Sequence, residues 1–165
     1  MFGLNLEDWA NVATILGGFA AVITLPLIWI QLVSNNRQAK RERSYVFAGK
    51  YHDTDCLPHM IRARKFLIGS SKEGILLESA WDEFNKDDNT RFSVGVLLSF
   101  FEEMGAMYNK NLVDKEVIRD LLTTVTITYF EIAKPLIDKM RNIQEDHTVY
   151  EQWGKMYNDL KKKNK

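Results

Sequence analysis

The feature that most constrains this chain is a long uncharged run near its start, WANVATILGGFAAVITLPLIWIQLV, from Trp9 to Val33. No Asp, Glu, Lys or Arg occurs between Trp9 and Asn36. A helix that crosses the hydrocarbon core of a bilayer needs about 20 apolar residues, whereas a soluble helix of this length keeps one polar face for water. The run therefore predicts one N-terminal transmembrane helix, and the alternative is a buried helix of a soluble protein.

The start of the chain and the two tryptophans favour a helix that stays in the membrane. Trp9 and Trp29 are 20 residues apart, which is about 30 Å along a helix, and they match the aromatic belts at the two membrane interfaces. The first eight residues are acidic, and no small-residue cleavage site follows the run. Both features are unlike a secretory signal peptide.

A basic cluster follows the apolar run and predicts the topology. Its members are Arg37, Lys40, Arg41 and Arg43, opposed by Glu42 alone. Positive charge beside a span marks the cytoplasmic side and can bind anionic lipid headgroups. We therefore expect an external N-terminus and span over residues 1–36, a cytoplasmic helical domain over residues 37–160, and a basic tail over residues 161–165.

Small and polar residues within the run suggest how copies of the span associate. The small residues that share one helical face are Ala10, Ala13, Gly17, Ala20 and Thr24. Such a stripe lets helix backbones approach closely in lipid, and because the chain has one predicted span, the partner is a second copy of it. The alternative is chance, since small residues are common in spans. If the spans formed a ring, a second face would line a pore with Asn11, Thr14 and Gly18.

The rest of the chain reads as about five further helices, which makes the predicted fold all-α. The segment GSSKEG is the expected loop before the short amphipathic helix ILLESAWDEFNK, and Asp88 or Asn89 is the expected N-cap of the next helix, RFSVGVLLSFFEEMGAMY. Asp114 is the expected cap of a long helix that contains the β-branched run TTVTIT. That run favours a strand, but the apolar residues around it recur at helical spacing, so we predict a helix.

Composition and motifs exclude several functions. The 22 basic and 22 acidic residues give no net charge, so nothing draws the whole chain towards nucleic acid. The single cysteine, Cys56, excludes an internal disulfide and a CxxC metal site. The sequence contains no GxxxxGK[ST], HExxH or GxSxG motif. We therefore predict no cofactor and no metal.

One pair of residues has the spacing of a catalytic motif. Arg141 and His147 have five residues between them, which fits the R-x(4–6)-H signature of HEPN ribonucleases. The arginine would hold a phosphate with its planar charged fork, and the histidine would exchange a proton near neutral pH. The alternative is structural: Arg141 binds carbonyl groups at the end of its helix, and Asp146 or His147 caps the next one.

The order of these segments resembles a known family. The Trp-flanked span, the basic helix, FFEEMGAMYNKNLVDKEVIRDLL and YFEIAKPLIDKMR are similar to a widespread bacterial family of small single-pass membrane proteins of unknown function. With R-x5-H they also resemble the small membrane accessory proteins of type VI-B CRISPR systems, which work beside the RNA-guided nuclease Cas13b. That resemblance implies a HEPN-like domain, a ring-shaped homo-oligomer in the bacterial inner membrane, and membrane permeabilisation during antiviral defence. The partners it implies are sister copies, membrane lipids and, functionally, a Cas13b-type nuclease or its RNA.

Three functions follow from these observations. The first is an oligomeric membrane effector that forms or gates a pore. The second is an enzyme, a membrane-tethered and metal-independent HEPN-type ribonuclease that uses Arg141 and His147. The third is a non-catalytic adaptor that holds a partner at the membrane. The absence of a full catalytic set favours the first.

Overall fold

The computed structural model describes residues 6–51, 53–72 and 77–163, without the side chains of residues 6–9, 12–13, 15–21, 70–72 and 77–80. Within these ranges the regular secondary structure is helical and there is no strand, which confirms the all-α prediction. The six helices are α1 Leu6–Tyr51, α2 Leu57–Lys72, α3 Leu77–Lys86, α4 Asp88–Asn109, α5 Lys115–Gln144 and α6 Glu151–Lys163.

The chain divides into two compact units, Met1–Ala39 and Lys40–Lys165. Helix α1, which contains Pro26, includes residues on both sides of this boundary. The second unit has a hydrophobic core to which α1, α2, α3, α4, α5 and α6 all contribute buried side chains. The largest fully buried side chains of this core include Trp153, Tyr108, Phe101, Leu97 and Met104.

Hydrogen bonds join the last turns of α1 to the turn that precedes α5. The hydroxyl of the fully buried Ser44 donates to the carbonyl of Lys40 at 2.9 Å and accepts from the backbone N–H of Asp114 at 2.9 Å. One turn later Phe47 is 4% exposed, and its ring centroid lies 6.0 Å from that of Phe100. The segment of α1 in the second unit is therefore a packed core helix.

Helix α5 begins where its sequence predicts. The Asp114 carboxylate accepts from the backbone N–H groups of Glu116 at 3.0 Å and Val117 at 3.4 Å, so Asp114 is the N-cap. The TTVTIT run is helical, and within it Thr126 is fully buried. The apolar spacing along α5 therefore outweighs the strand preference of the β-branched residues.

Two local expectations were wrong. The N-cap of α4 is Asp87, rather than Asp88 or Asn89, because the Asp87 carboxylate accepts from the Asn89 N–H at 3.0 Å. The first residues of the predicted loop GSSKEG, Gly69 to Lys72, extend α2 instead of ending it. Both errors are displacements of a helix end along the sequence.

Helices α4 and α6 approach each other closely at Gly105. A Cβ atom at Gly105 would lie 2.6 Å from the carbonyl carbon and oxygen of Gln152 and 2.7 Å from the backbone nitrogen of Trp153. The Trp153 ring stacks on Phe101 at 4.5 Å between centroids and meets the edge of Phe130 at 5.2 Å. Glycine at position 105 is therefore required because the backbone of α6 occupies the space of a side chain.

This approach predicts a sharp penalty for one methyl group. Gly105→Ala should lower the free energy of unfolding by about 1–3 kcal/mol, because backbone atoms and not a flexible side chain must move away. The matched control is Gly95→Ala on the same helix, where a Cβ meets nothing within 4 Å. It should leave stability equal or raise it by up to about 1 kcal/mol. Thermal unfolding of both purified variants followed by circular dichroism measures the difference, and equal melting temperatures would contradict this packing.

Candidate functional site

Residues 22–33 of the first unit present exposed apolar side chains on most of the helix surface. Among the described side chains of this unit, nine large apolar residues are each at least 40% exposed: Val22, Ile23, Leu25, Leu27, Ile28, Trp29, Ile30, Leu32 and Val33. Successive residues of an α-helix are about 100° apart around its axis, so these side chains cover about 260° of its circumference. Thr24 and Gln31 lie on the remaining side and are exposed too. Exposed apolar surface of this extent marks a membrane or protein interaction site.

The residues predicted to pack or line the span are described in part. Ala10, Asn11, Thr14, Thr24 and Trp29 are exposed. The Thr14 hydroxyl donates to the carbonyl of Ala10 at 2.9 Å, so it is satisfied within its own helix. The predictions for Trp9, Ala13, Gly17, Gly18 and Ala20 fall on side chains outside the described residues. Across the described positions, no helix combines the length and the hydropathy that a membrane crossing requires.

The basic cluster after the apolar run has contacts of its own. Arg41 Nε lies 3.2 Å from the Asp114 carboxylate, and Arg43 Nη1 donates to the Leu112 carbonyl at 3.5 Å. Arg37 is exposed and Lys40 is half-buried. The guanidinium groups of Arg41 and Arg43 therefore help to hold α1 against the turn before α5, in addition to carrying charge at the surface.

Arg141 closes the turn between α5 and α6. Its Nε donates to the carbonyl of Val149 at 2.9 Å, and its Nη1 lies 3.6 Å from the Asp138 carboxylate. Its own carbonyl accepts from the Asp146 N–H at 3.1 Å. The side chain is 22% exposed. The guanidinium thus binds a backbone carbonyl, the role that the structural alternative assigns to it, although the carbonyl belongs to the following turn.

His147 lies in this turn, and its side chain is exposed. Beside it, Asp146 accepts from the backbone N–H of Thr148 at 2.8 Å and from its hydroxyl at 2.7 Å. These hydrogen bonds, first of all that from the hydroxyl, lower the pKa of Asp146. Asp146 therefore stabilises the turn itself, and the expectation that it caps the next helix is wrong.

The cap of α6 comes from a different helix. The two carboxylate oxygens of Glu102 on α4 accept from the backbone N–H groups of Gln152 at 3.1 Å and Trp153 at 2.9 Å. Asn109, also on α4, donates to the Gln152 carbonyl at 2.9 Å. The Glu102 carboxylate therefore satisfies amide groups that a helix start leaves without partners.

The α5–α6 turn has an unusual backbone conformation at each of its two ends. Glu145 and Tyr150 have positive φ angles of 52° and 54°, a backbone region that costs non-glycine residues free energy. Burial, together with the nearby charge of Glu102, raises the pKa of the Tyr150 hydroxyl. His147 is thus exposed on a turn whose backbone is bound by Arg141, while Glu102 binds the start of the helix that follows.

A cleft of about 550 Å³ lies elsewhere in the second unit, beside α4. The residues that line it include the apolar Phe92, Val96 and Phe100 and the charged Lys50 and Glu103. Within the described part of the chain, no three His, Cys, Asp or Glu side chains are grouped so that they could hold a metal ion.

The chain was also compared with known proteins. A family model described as a domain of unknown function, DUF4760, matches residues 11–160. No curated protein and no solved structure matches the chain.

The capping contact of α6 predicts unequal effects at two adjacent glutamates. Glu102→Ala should lower the free energy of unfolding by about 2 kcal/mol, because two backbone N–H groups lose a charged acceptor. Glu103→Ala, at the exposed neighbouring position, should change it by less than about 0.5 kcal/mol. Thermal unfolding of the two variants compares them directly. Equal losses would mean that charge on α4, and not the cap, stabilises the unit.

Proposed function

The chain belongs to the DUF4760 family, and we propose that it is a membrane-anchored helical effector whose apolar run, Trp9 to Val33, enters the lipid bilayer. The single observation that supports this proposal best is the set of nine exposed apolar side chains between Val22 and Val33. Lipid can solvate all sides of such a helix at once. Its backbone hydrogen bonds are made within the helix, as a bilayer demands.

Water is a poor solvent for this surface. Burial of apolar surface is favourable by about 25 cal/mol per Å², and full burial of one Leu or Ile side chain by about 1.5–3 kcal/mol. Nine such side chains in one twelve-residue stretch therefore favour transfer out of water far more than one amphipathic face would. The basic residues Arg37 to Arg43 then put the second unit on the cytoplasmic side.

Self-association within the membrane is the next part of the proposal. Ala10, Gly17 and Thr24 lie on the small-residue stripe, which favours close helix contacts between copies. The resemblance to the accessory proteins of type VI-B CRISPR systems extends this to a ring that permeabilises the inner membrane during antiviral defence. A gene for a Cas13b-type nuclease beside the gene for this chain would support that extension.

The second candidate is a membrane-tethered HEPN-type ribonuclease. The observation that favours it is the exposed position of His147, in the same turn that Arg141 fastens. Against it, the Arg141 guanidinium is already engaged with the Val149 carbonyl. An RNA phosphate would therefore have to share the guanidinium with a backbone group.

Charged substitutions test the membrane anchor. In Leu25→Lys/Ile28→Lys, each lysine should raise the free energy of insertion by about 2.5–3.5 kcal/mol, so that most of the protein leaves the membrane fraction. The control is Val46→Lys, which changes an equally exposed residue of the same helix within the second unit. It should remain with the membranes. Flotation with vesicles and sedimentation after gentle lysis measure the distribution. A wild-type chain that is freely soluble without detergent would contradict the proposal.

A single substitution separates the two candidate functions. His147→Ala changes an exposed side chain and leaves the Arg141 contacts in place, so the fold should be kept. For a pore-forming effector, we expect His147→Ala to depolarise the membrane of cells as the wild type does, and we expect cellular RNA to stay intact with either protein. Membrane potential dyes and RNA electrophoresis measure the two effects. Wild-type RNA cleavage that falls at least a hundredfold in His147→Ala would instead favour the ribonuclease.

A further inference from the structure

The second unit has a surface that is richer in positive charge than the rest of the chain. We call it the basic end, and it consists of residues 40–43 of α1, residues 110–120 around the start of α5, and residues 159–163 of α6. These three segments contain nine Lys or Arg against five Asp or Glu, although the whole chain has 22 of each. The excess is therefore local.

Direct contacts join the α1 and α5 segments. Arg41 Nε lies 3.2 Å from the Asp114 carboxylate, and the Asp114 N–H donates to the Lys40 carbonyl at 3.4 Å. Arg43 reaches the carbonyl of Leu112. Asp114 keeps a lowered pKa, because backbone hydrogen bonds and Arg41 outweigh the opposing effect of its burial. Its charge is thus neutralised by Arg41 within the surface.

A second chain of contacts adds the end of α6. Lys115 Nζ lies 4.6 Å from the centre of the Tyr108 ring, and the Tyr108 hydroxyl donates to the Asp159 carboxylate. Lys163 Nζ lies 3.1 Å from the same carboxylate. Burial and the bond to Asp159 raise the pKa of Tyr108 to about 12, so this hydroxyl stays a donor at neutral pH. The three segments thus form one continuous surface.

The positive charge of the basic end remains accessible. The side chains of Arg41 and Lys163 are 64% and 46% exposed even though each pairs with an acid. Arg43, Lys110 and Lys162 are exposed as well. Asp114 and Asp159 each cancel the charge of one cation, and the other acids of the three segments, Glu42, Glu116 and Asp120, are exposed. The three segments together therefore keep a net charge of +4, from nine basic and five acidic residues.

We propose that the basic end binds the anionic headgroups of the membrane leaflet that the apolar run enters, which rests on the proposed function. Lys40 follows Val33 by only seven residues. Even a fully extended chain of that length reaches about 25 Å, so a run in the membrane keeps Lys40 near the leaflet. Each basic residue close to an anionic leaflet adds attraction that falls off within a Debye length.

The composition of the surface favours lipid over RNA as the partner. The three segments contain no Phe, Tyr or Trp, and Tyr108 beneath them is 1% exposed. Proteins that bind single-stranded RNA stack its bases on exposed aromatic side chains. A set of flexible cations without such platforms suits a laterally mobile array of phosphate headgroups.

Amine labelling tests this proposal on the full chain. The protein is reconstituted into vesicles of phosphatidylcholine alone or with phosphatidylglycerol, and the labelling of each lysine is followed by mass spectrometry. We expect Lys110 and Lys162 to react about three- to fivefold more slowly in the anionic vesicles, and this protection to be lost at about 1 M salt. Lys155, near the other end of α6 and 54% exposed, is the internal control and should not change.

A charge reversal and its matched control complete the test. Lys162→Glu should reduce the protection of Lys110, whereas Lys155→Glu on the same helix should leave it unchanged. Equal labelling of Lys110 in both vesicle types, or equal protection of Lys155, would overturn the proposal. Protection by an added RNA oligonucleotide but not by anionic lipid would also overturn it, in favour of RNA. Failure to float with any vesicle would contradict the membrane anchor itself, while flotation without lipid-dependent protection would contradict only the basic end.

Discussion

The approach of α6 to α4 at Gly105 is the constraint on which the rest of the second unit depends. Because no side chain separates the two backbones there, the first amides of α6 come within reach of the Glu102 carboxylate. The same approach seats Trp153 against Phe101 and Phe130 in the core. Once α6 starts at this point, the chain must leave α5 through a tight turn, and that turn contains Arg141 and His147.

The two units differ in the kind of side chain that they expose. In residues 40–165 each helix hides an apolar face and shows polar residues, and capping residues such as Asp87 and Asp114 satisfy the helix starts. Residues 22–33 bury no large apolar side chain; all nine are exposed. A single solvent does not suit both patterns. The proposed membrane anchor would reconcile them, and this is why the proposed function begins with the apolar run and not with the Arg141–His147 pair.

Much of the fold was predictable because its determinants are local. The helical spacing of apolar residues in α5 and the Asp114 cap lie within a few residues of the features they specify. The cap of α4 was misplaced because Asp87, Asp88 and Asn89 are all suitable capping residues, and sequence alone does not rank them. The Glu102 cap was missed because its partners lie 50 and 51 residues away. The packing face of the span stays a prediction, since Ala13, Gly17 and Ala20 lie outside the described side chains.

The bond from Arg141 to the Val149 carbonyl has a consequence for how signature motifs are interpreted across genomes. A guanidinium that completes a turn is retained by selection for folding, whatever chemistry the neighbouring residues perform. Inactive descendants of a nuclease and proteins that never cleaved RNA would keep such an arginine equally well. In this setting the histidine is the informative half of the R-x-H pattern, because nothing in the surrounding architecture obliges its exposed ring to persist.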